Sequence, residues 1–202
     1  MGRKLVAFDF DSTIIDGETL MEIAKLNGSD KKAEEYLKKS LKNSADYGES
    51  IRIRVEMLKG IKVSDITKLI EKIPLTKGAE ETLRELRRRG HVLILITGNF
   101  TVCTEKVAHF FDEIYANEFE VENGVLTGRI KKFVVNSAQK KAEILVQCAR
   151  KYGIPLSDTI AVGDSASDIE MFAVANKSIC FNCKIPQHDK GVKDLREVLK
   201  YA

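Results

Sequence analysis

The stretch that most restricts the fold is Lys4-Leu5-Val6-Ala7-Phe8, which runs without a break into Asp9-Phe10-Asp11-Ser12-Thr13. Such an apolar run has to leave water, so it is a buried strand. The acids that follow it sit where the strand ends and solvent begins, the edge at which open α/β sheets place their reactive groups. Two carboxylates one residue apart, without a local counter-ion, call for a cation. Mg²⁺ is the natural partner, since it takes a few hard oxygens plus waters and a substrate phosphate. The same Asp-x-Asp spacing also occurs in ordinary surface turns, and on this stretch alone both readings stand.

From Gly17 to Lys72 no strand-like run occurs. Apolar residues recur at helical spacing, as in Leu20, Ile23 and Ala24 or Ile66, Leu69 and Ile70, with Gly28, Gly48 and Gly60 between the sets. This predicts about four helices, the last stopped by Pro74. From Gly78 the pattern alternates: a helix over 79–89, a strand over 91–96, a helix over 101–110 and a short strand near 114–116. A helix over 138–152, a strand over 159–162, a helix over 166–175, a strand over 178–181 and a last helix near 192–201 follow. Asn123-Gly124 places a tight hairpin within 118–132. The expected fold is α/β, a Rossmann-like parallel sheet formed by residues 1–13 and 76–202, with a small helical cap of residues 14–75 inserted after the first strand. The cap is expected to join the core only at Ile14-Ile15 and near Pro74, and so to open and close over the strand ends.

At 202 residues and 44% apolar content the chain can bury one sizeable core. Lys and Arg number 33 against 30 acids, a dispersed net charge of +3 that gives no footprint for nucleic acid. The apolar stretches are too short to span a membrane, and the first, ended by Asp9, does not make an export signal. A cytoplasmic monomer or homodimer is expected. In a reducing compartment Cys103, Cys148, Cys180 and Cys183 are expected as free, inert thiols. Cys180-Phe181-Asn182-Cys183 lacks a second cysteine pair, and His188 is not spaced as a zinc ligand, so the pair reads as structural.

A second acidic group, Gly163-Asp164-Ser165-Ala166-Ser167-Asp168, follows the strand expected at 159–162. If that strand neighbours the first, Asp9, Asp11, Asp164 and Asp168 meet on one rim, which they can share only if a cation neutralises them. The strand over 91–96 runs into Thr97-Gly98-Asn99-Phe100. A hydroxyl, a glycine that admits close approach and helix-initial amides form an anion cradle, although the same residues also make a plain helix cap. Lys140 and Lys141, at the start of the long helix, supply a candidate fixed positive charge.

Acid after the first strand, hydroxyl after the next, lysine before the last motif and acids within it: in this order the chain resembles the haloacid dehalogenase-like hydrolases over essentially its whole length. Within them, Asp9 to Thr13, Asp16-Gly17-Glu18-Thr19, Ser50 to Val55, Gly78 to Thr82 and Gly163 to Asp168 are similar to the phosphoserine phosphatases. The resemblance implies a Mg²⁺-dependent phosphomonoesterase acting on phosphoserine, the serine-forming step, or on another small phosphorylated metabolite by hydrolysis or phosphoryl transfer. It implies that Asp9 is the nucleophile that becomes an aspartyl-phosphate and that Asp11 is the general acid and then the base. Asp164 would bind Mg²⁺ with Asp9 and the Asp11 carbonyl, while Asp168 orders metal-bound water and the lysine. Thr97, Gly98 and Lys141 would hold the phosphoryl group, with Lys141 chosen over Lys140 because it directly precedes Ala142-Glu143-Ile144-Leu145. Glu18 would face the substrate ammonium and Arg54 its carboxylate, Tyr47 would pack against the substrate, and Ser167 would reach it. Two residues depart from the family pattern: Asn99 stands where glycine is usual, adding a side chain beside the cradle, and Ser167 where asparagine is usual.

The chemistry makes its own demands. A carboxylate attacking a phosphate dianion is opposed by roughly 3 kcal/mol per charge pair at about 5 Å and an effective dielectric of about 20, so metal and lysine must offset that repulsion. A phospho-aspartate receiver-type signalling domain also clusters aspartates, a hydroxyl and a lysine, but it carries its acceptor on a middle strand of the sequence and not on the first.

Overall fold

The structure, a computed structural model, describes residues 2–42, 47–183 and 185–202. All four residues of β1 (Leu5–Phe8) are fully buried, so both faces of this strand have to be covered. It lies at the centre of a seven-stranded sheet. β2 (Val92–Phe100) flanks it on one side and β5 (Thr159–Gly163) on the other, both parallel, with Phe8 opposite Leu95 and Val162. Outside β2 come β3 (Glu113–Glu122) and the antiparallel β4 (Val125–Lys132); outside β5 come β6 (Lys177–Phe181) and β7 (Lys190–Val192). The chain builds outward from β1 on one side, then returns to build outward from β5 on the other. The crevice at the carboxyl ends of β1 and β5 is therefore the topological switch point at which such sheets bind ligands.

Alternation within the strands assigns the two faces. Val6, Phe8, Leu93 and Leu95 pack with α5 (Ala79–Arg88), whose Ala79, Thr82, Leu83 and Leu86 recur at helical spacing. Leu5, Ala7, Val92, Ile94 and Ile96 pack with α7 (Ala138–Lys151) and α8 (Ile169–Val174).

Between β1 and α5 lie α1 (Thr19–Lys25), α2 (Asp30–Lys42), α3 (Tyr47–Glu56) and α4 (Val63–Lys72). The chain enters this insert through the buried Ile14 and Ile15 and returns by an antiparallel bridge between Ile15 and Leu75. The Asp16 amide on the Pro74 carbonyl, at 2.9 Å, and the Thr76 hydroxyl on the Thr13 carbonyl, at 2.5 Å, reinforce that junction. The expectation of only these attachments is corrected by a third. Gly60 and Val63 donate their amides to the carbonyls of Leu126 and Gly124, and Leu126 donates to that of Ile61, each at 2.9 Å. Asn123 and Gly124, at φ of 52° and 77°, make the tight turn that carries the β3–β4 hairpin to this contact.

Several boundaries also differ from expectation. β2 continues to Phe100, and the helix expected over 101–110 is a single turn, α6 (Thr101–Thr104), followed by a 3₁₀ segment over Glu105–Phe110. β3 has ten residues instead of a short run near 114–116, because Asn117 and Phe119 face inward between solvated glutamates. The last expected helix is replaced by the edge strand β7 and a 3₁₀ segment, Leu195–Lys200. Four free thiols were expected, but Cys180 and Cys183 are joined: Asn182, at φ 45°, turns the chain just after β6 and brings their Cα atoms to 5.1 Å. Cys103 and Cys148 are free and buried. Among the described residues no helix is long and apolar enough to cross a membrane.

Candidate active site

The register that aligns Phe8 with Leu95 and Val162 brings Asp9, Thr97 and Asp164 out at the same end of three adjacent strands. All three are buried. Lys141 reaches them from α7: its Nζ donates to Asp9 Oδ1 at 2.6 Å and to Asp168 Oδ1 at 2.8 Å, with Ser167 Oγ at 3.4 Å. The helix distinguishes the two lysines. Lys141 shares the buried face of Ala138, Ala142, Leu145 and Cys148, whereas Lys140 points outward to Glu143; the spacing of those small and apolar residues carries this signal in the sequence. Asp168 accepts the amides of Asp164 and Ser165 on Oδ2 at 3.1 and 3.2 Å. A Cβ on residue 163 would overlap that carboxyl group, which accounts for Gly163.

Burial, with Asp168 and Asp164 adding repulsion, holds Asp9 well above the ordinary carboxyl range despite Lys141. Burial works against the Lys141 charge too, but Asp168 and Asp9 prevail and keep its ammonium well above the usual lysine value. Carboxylate oxygens of Asp9, Asp164 and Asp168 lie within 4.8 Å of one another, an all-oxygen donor set that fits a small divalent cation.

Asp11 is held apart from this cluster. Its Oδ1 accepts the Thr19 amide at 2.9 Å and the Thr19 hydroxyl at 2.8 Å, and its Oδ2 accepts Asn99 Nδ2 at 2.8 Å. The carboxylate at the end of β1 thus serves the first turn of α1, where Glu18 makes no side-chain cap. Burial raises its pKa against the pull of these donors. Asn99 lines the cavity next to Thr97 and Gly98, as expected. Its Oδ1 accepts the Phe100 amide at 2.8 Å, which turns its Nδ2 toward Asp11 and Thr19. The expected helix-initial amides are replaced: Thr97 to Phe100 are still strand, and Thr97 Oγ1 accepts the Asn99 amide at 3.0 Å.

Asn117, which sequence reasoning missed, supports this segment. It is fully buried, donates Nδ2 to the Gly98 carbonyl at 2.8 Å and accepts the Val135 amide at 2.9 Å. An asparagine at an inward position of an alternating strand is the signal that could have found it, since a buried amide must be hydrogen-bonded. Gly98 lacks room for a Cβ because the Tyr47 hydroxyl of α3 occupies that place.

The insert contributes to the wall of the cavity. Glu18, Tyr47, Ile51 and Arg54 line it together with Asp9, Asp11, Thr97, Gly98, Asp164 and Ser167, and Lys141 and Asp168 are bonded to this lining. Arg54 is 6% exposed and donates Nε to the Ser50 carbonyl at 3.2 Å. Burial lowers its pKa, while Glu18 and Asp11 work to raise it. Glu18 accepts the Ser12 hydroxyl at 3.2 Å, and burial pushes the Tyr47 phenol up to about 12.

A doubly covered parallel sheet with buried aspartates and a lysine at its switch point is the architecture of a phosphoryl-handling α/β hydrolase. The chain belongs to the haloacid dehalogenase-like hydrolase family, whose sequence model matches residues 6–173. It is 38% identical over 206 residues to a phosphoserine phosphatase of Methanocaldococcus jannaschii, covering 98% of this chain and 97% of that protein. Solved structures of a substrate-bound phosphoserine phosphatase complex and of a phospho-aspartyl intermediate analogue of phosphoserine phosphatase give TM-scores of 0.93 and 0.91. Their identities are 37% and 38%, covering 100% of this chain and 99% of each. These likenesses place the chain in the phosphoserine phosphatase branch of the family.

Proposed function

We propose that this protein is a Mg²⁺-dependent phosphoserine phosphatase that works through a phosphorylated Asp9. The observation that carries the substrate is the presence of Glu18 and Arg54 in the wall of the cavity that contains Asp9. An amino acid presents one ammonium and one carboxylate. The planar fork of Arg54 takes the carboxylate with two hydrogen bonds, and Glu18 faces the ammonium. Residues 14–75 act as a cap over a core of 1–13 and 76–202, which restricts the cavity to small phosphorylated metabolites.

Lys141 pairs with Oδ1 of Asp9, which leaves Oδ2 outside that ion pair and open to the phosphorus. Thr97, Gly98 and Lys141 hold the phosphoryl oxygens. Asp11 has to be an acid first, when the serine oxygen leaves, and a base next, when water attacks the acyl phosphate. Its environment serves both: burial favours the protonated form, and the donors from Thr19 and Asn99 favour the ionised one. Both Asp168 oxygens are already engaged, by Lys141 and by the amides of Asp164 and Ser165. As the family resemblance implies, Asp9, Asp164 and the Asp11 carbonyl are the groups that would hold Mg²⁺, which would supply charge neutralisation at the phosphoryl oxygens. Asp168 fixes Lys141 and the turn that presents Asp164, and Ser167 lies against Lys141 at the cavity wall.

The test is a comparison of kcat/KM for phosphoserine, phosphothreonine, phosphoethanolamine and sugar phosphates. Phosphoserine should be highest. A higher value for a substrate without the amino group or without the carboxylate would reject the substrate while leaving the phosphatase chemistry in place.

A further inference from the structure

We propose that Cys180 and Cys183 form a redox-active pair that exchanges with small disulfides through the exposed Cys183, while the buried Cys180 sulfur lies 3.8 Å from the Asp164 carbonyl. Cys180 is fully buried on β6, opposite Gly163 of β5, whereas Cys183 lies at the surface. The intervening Asn182 donates its amide to the Val192 carbonyl of β7 at 2.9 Å. This turn is held by the sheet as well as by the sulfurs, so the reduced pair stays side by side and the bond can re-form without rearrangement of the chain.

The spacing of His188 gave no reason to connect it with the cysteines, yet its Nδ1 lies 3.2 Å from Cys183 Sγ, because the chain folds back after Pro186. An imidazole there can take the thiol proton, and the thiolate is the reactive form. A surface cleft lined by Asn182, Cys183, Gly191, Val192 and Lys193 opens onto this sulfur. The Lys193 ammonium suits a disulfide that carries carboxylates. Cys103 and Cys148 are buried, and burial raises both of their thiols.

In the oxidising direction the Cys183 thiolate attacks one sulfur of the small disulfide and expels the first thiolate, which takes the proton held by His188. Cys180 then attacks the Cys183 sulfur of the mixed disulfide and expels the second thiolate, which takes the Cys180 proton. The protein gives up two electrons and two protons, and the small disulfide becomes two thiols. Ligand atoms of Cys180, Cys183 and His188 do lie within 4.8 Å of one another, but three side chains are one short of a closed tetrahedral zinc site, and here the two sulfurs are bonded to each other.

The experiment treats reduced full-length protein with oxidised glutathione and follows mass and alkylatable thiols. The wild type should lose two of its four thiols and keep no adduct. Cys180→Ser should retain one glutathione on Cys183, Cys183→Ser should take up none under native conditions, and His188→Ala should slow capture by about tenfold or more. A lasting adduct on the wild type, an unreactive Cys183, or one equivalent of zinc released only by a chelator would overturn the proposal. Because the readout is thiol chemistry and not turnover, either outcome leaves the phosphoserine reading standing on its own test.

Discussion

Asp11 is gripped from two directions, by Thr19 at the start of α1 and by Asn99 at the end of β2. Its replacement by asparagine should slow proton transfer and keep the Thr19 donors on the amide oxygen, at the cost of the bond from Asn99. In Asp11→Asn we expect kcat to fall by about 10²- to 10⁴-fold, with the fold intact by circular dichroism; undiminished kcat would remove Asp11 from the reaction. Asn99→Gly deletes one donor to the carboxylate. That donor favours the ionised carboxylate, so its loss should raise the Asp11 pKa and move the acidic limb of the kcat–pH profile for phosphoserine to higher pH. Because attack of water on the phosphorylated Asp9 is common to every substrate, an aryl phosphate should show the same shift, and a pH profile that does not move would show that Asn99 does not act through Asp11. At this scale the sequence was uneven. Lys141 was chosen through the family resemblance, because it directly precedes Ala142-Glu143-Ile144-Leu145, but the partner of Asn99 was not readable, since it lies 88 positions away and nothing in local spacing says where a side chain past a strand end will turn.

The elements most readable in the sequence are those whose burial leaves a pattern: β1 and β5 as unbroken apolar runs, α5 and α7 as apolar stripes. The junction between the hairpin and the insert had no such trace, because its ties are backbone amides and carbonyls that any residues could supply. The 3₁₀ segments were missed for a related reason, since over one or two turns their side-chain spacing does not differ enough from that of an α-helix. Leu126, 2% exposed, gives this junction its one deep apolar anchor at the hairpin. Leu126→Ala should destabilise the protein by about 2–5 kcal/mol, and hydrogen exchange should quicken first at Gly60, Ile61 and Val63. Unchanged exchange there would mean that the hairpin does not hold the insert.

Over the whole molecule, the burial of Asp9, with repulsion from Asp168 and Asp164 added and Lys141 opposing, links stability, pH and metal. The folded pKa of Asp9 lies above its unfolded value, so between the two the folded state binds more protons than the unfolded one. In metal-free protein this group therefore favours folding fully below about pH 4, and its contribution is lost as pH rises toward the raised folded value. A divalent cation binds the ionised carboxylates and reverses the trend. Added Mg²⁺ should accordingly raise Tm more at pH 8 than at pH 5. Asp9→Asn takes a charge out of a buried acidic cluster. Without metal it should melt higher than the wild type, by about 2–4 °C for each kcal/mol of repulsion removed, while losing turnover and most of the Mg²⁺-induced rise. Melting curves of both proteins at the two pH values, with and without Mg²⁺, decide the matter: a rise that is independent of pH, or one that survives in Asp9→Asn, would place the cation away from Asp9.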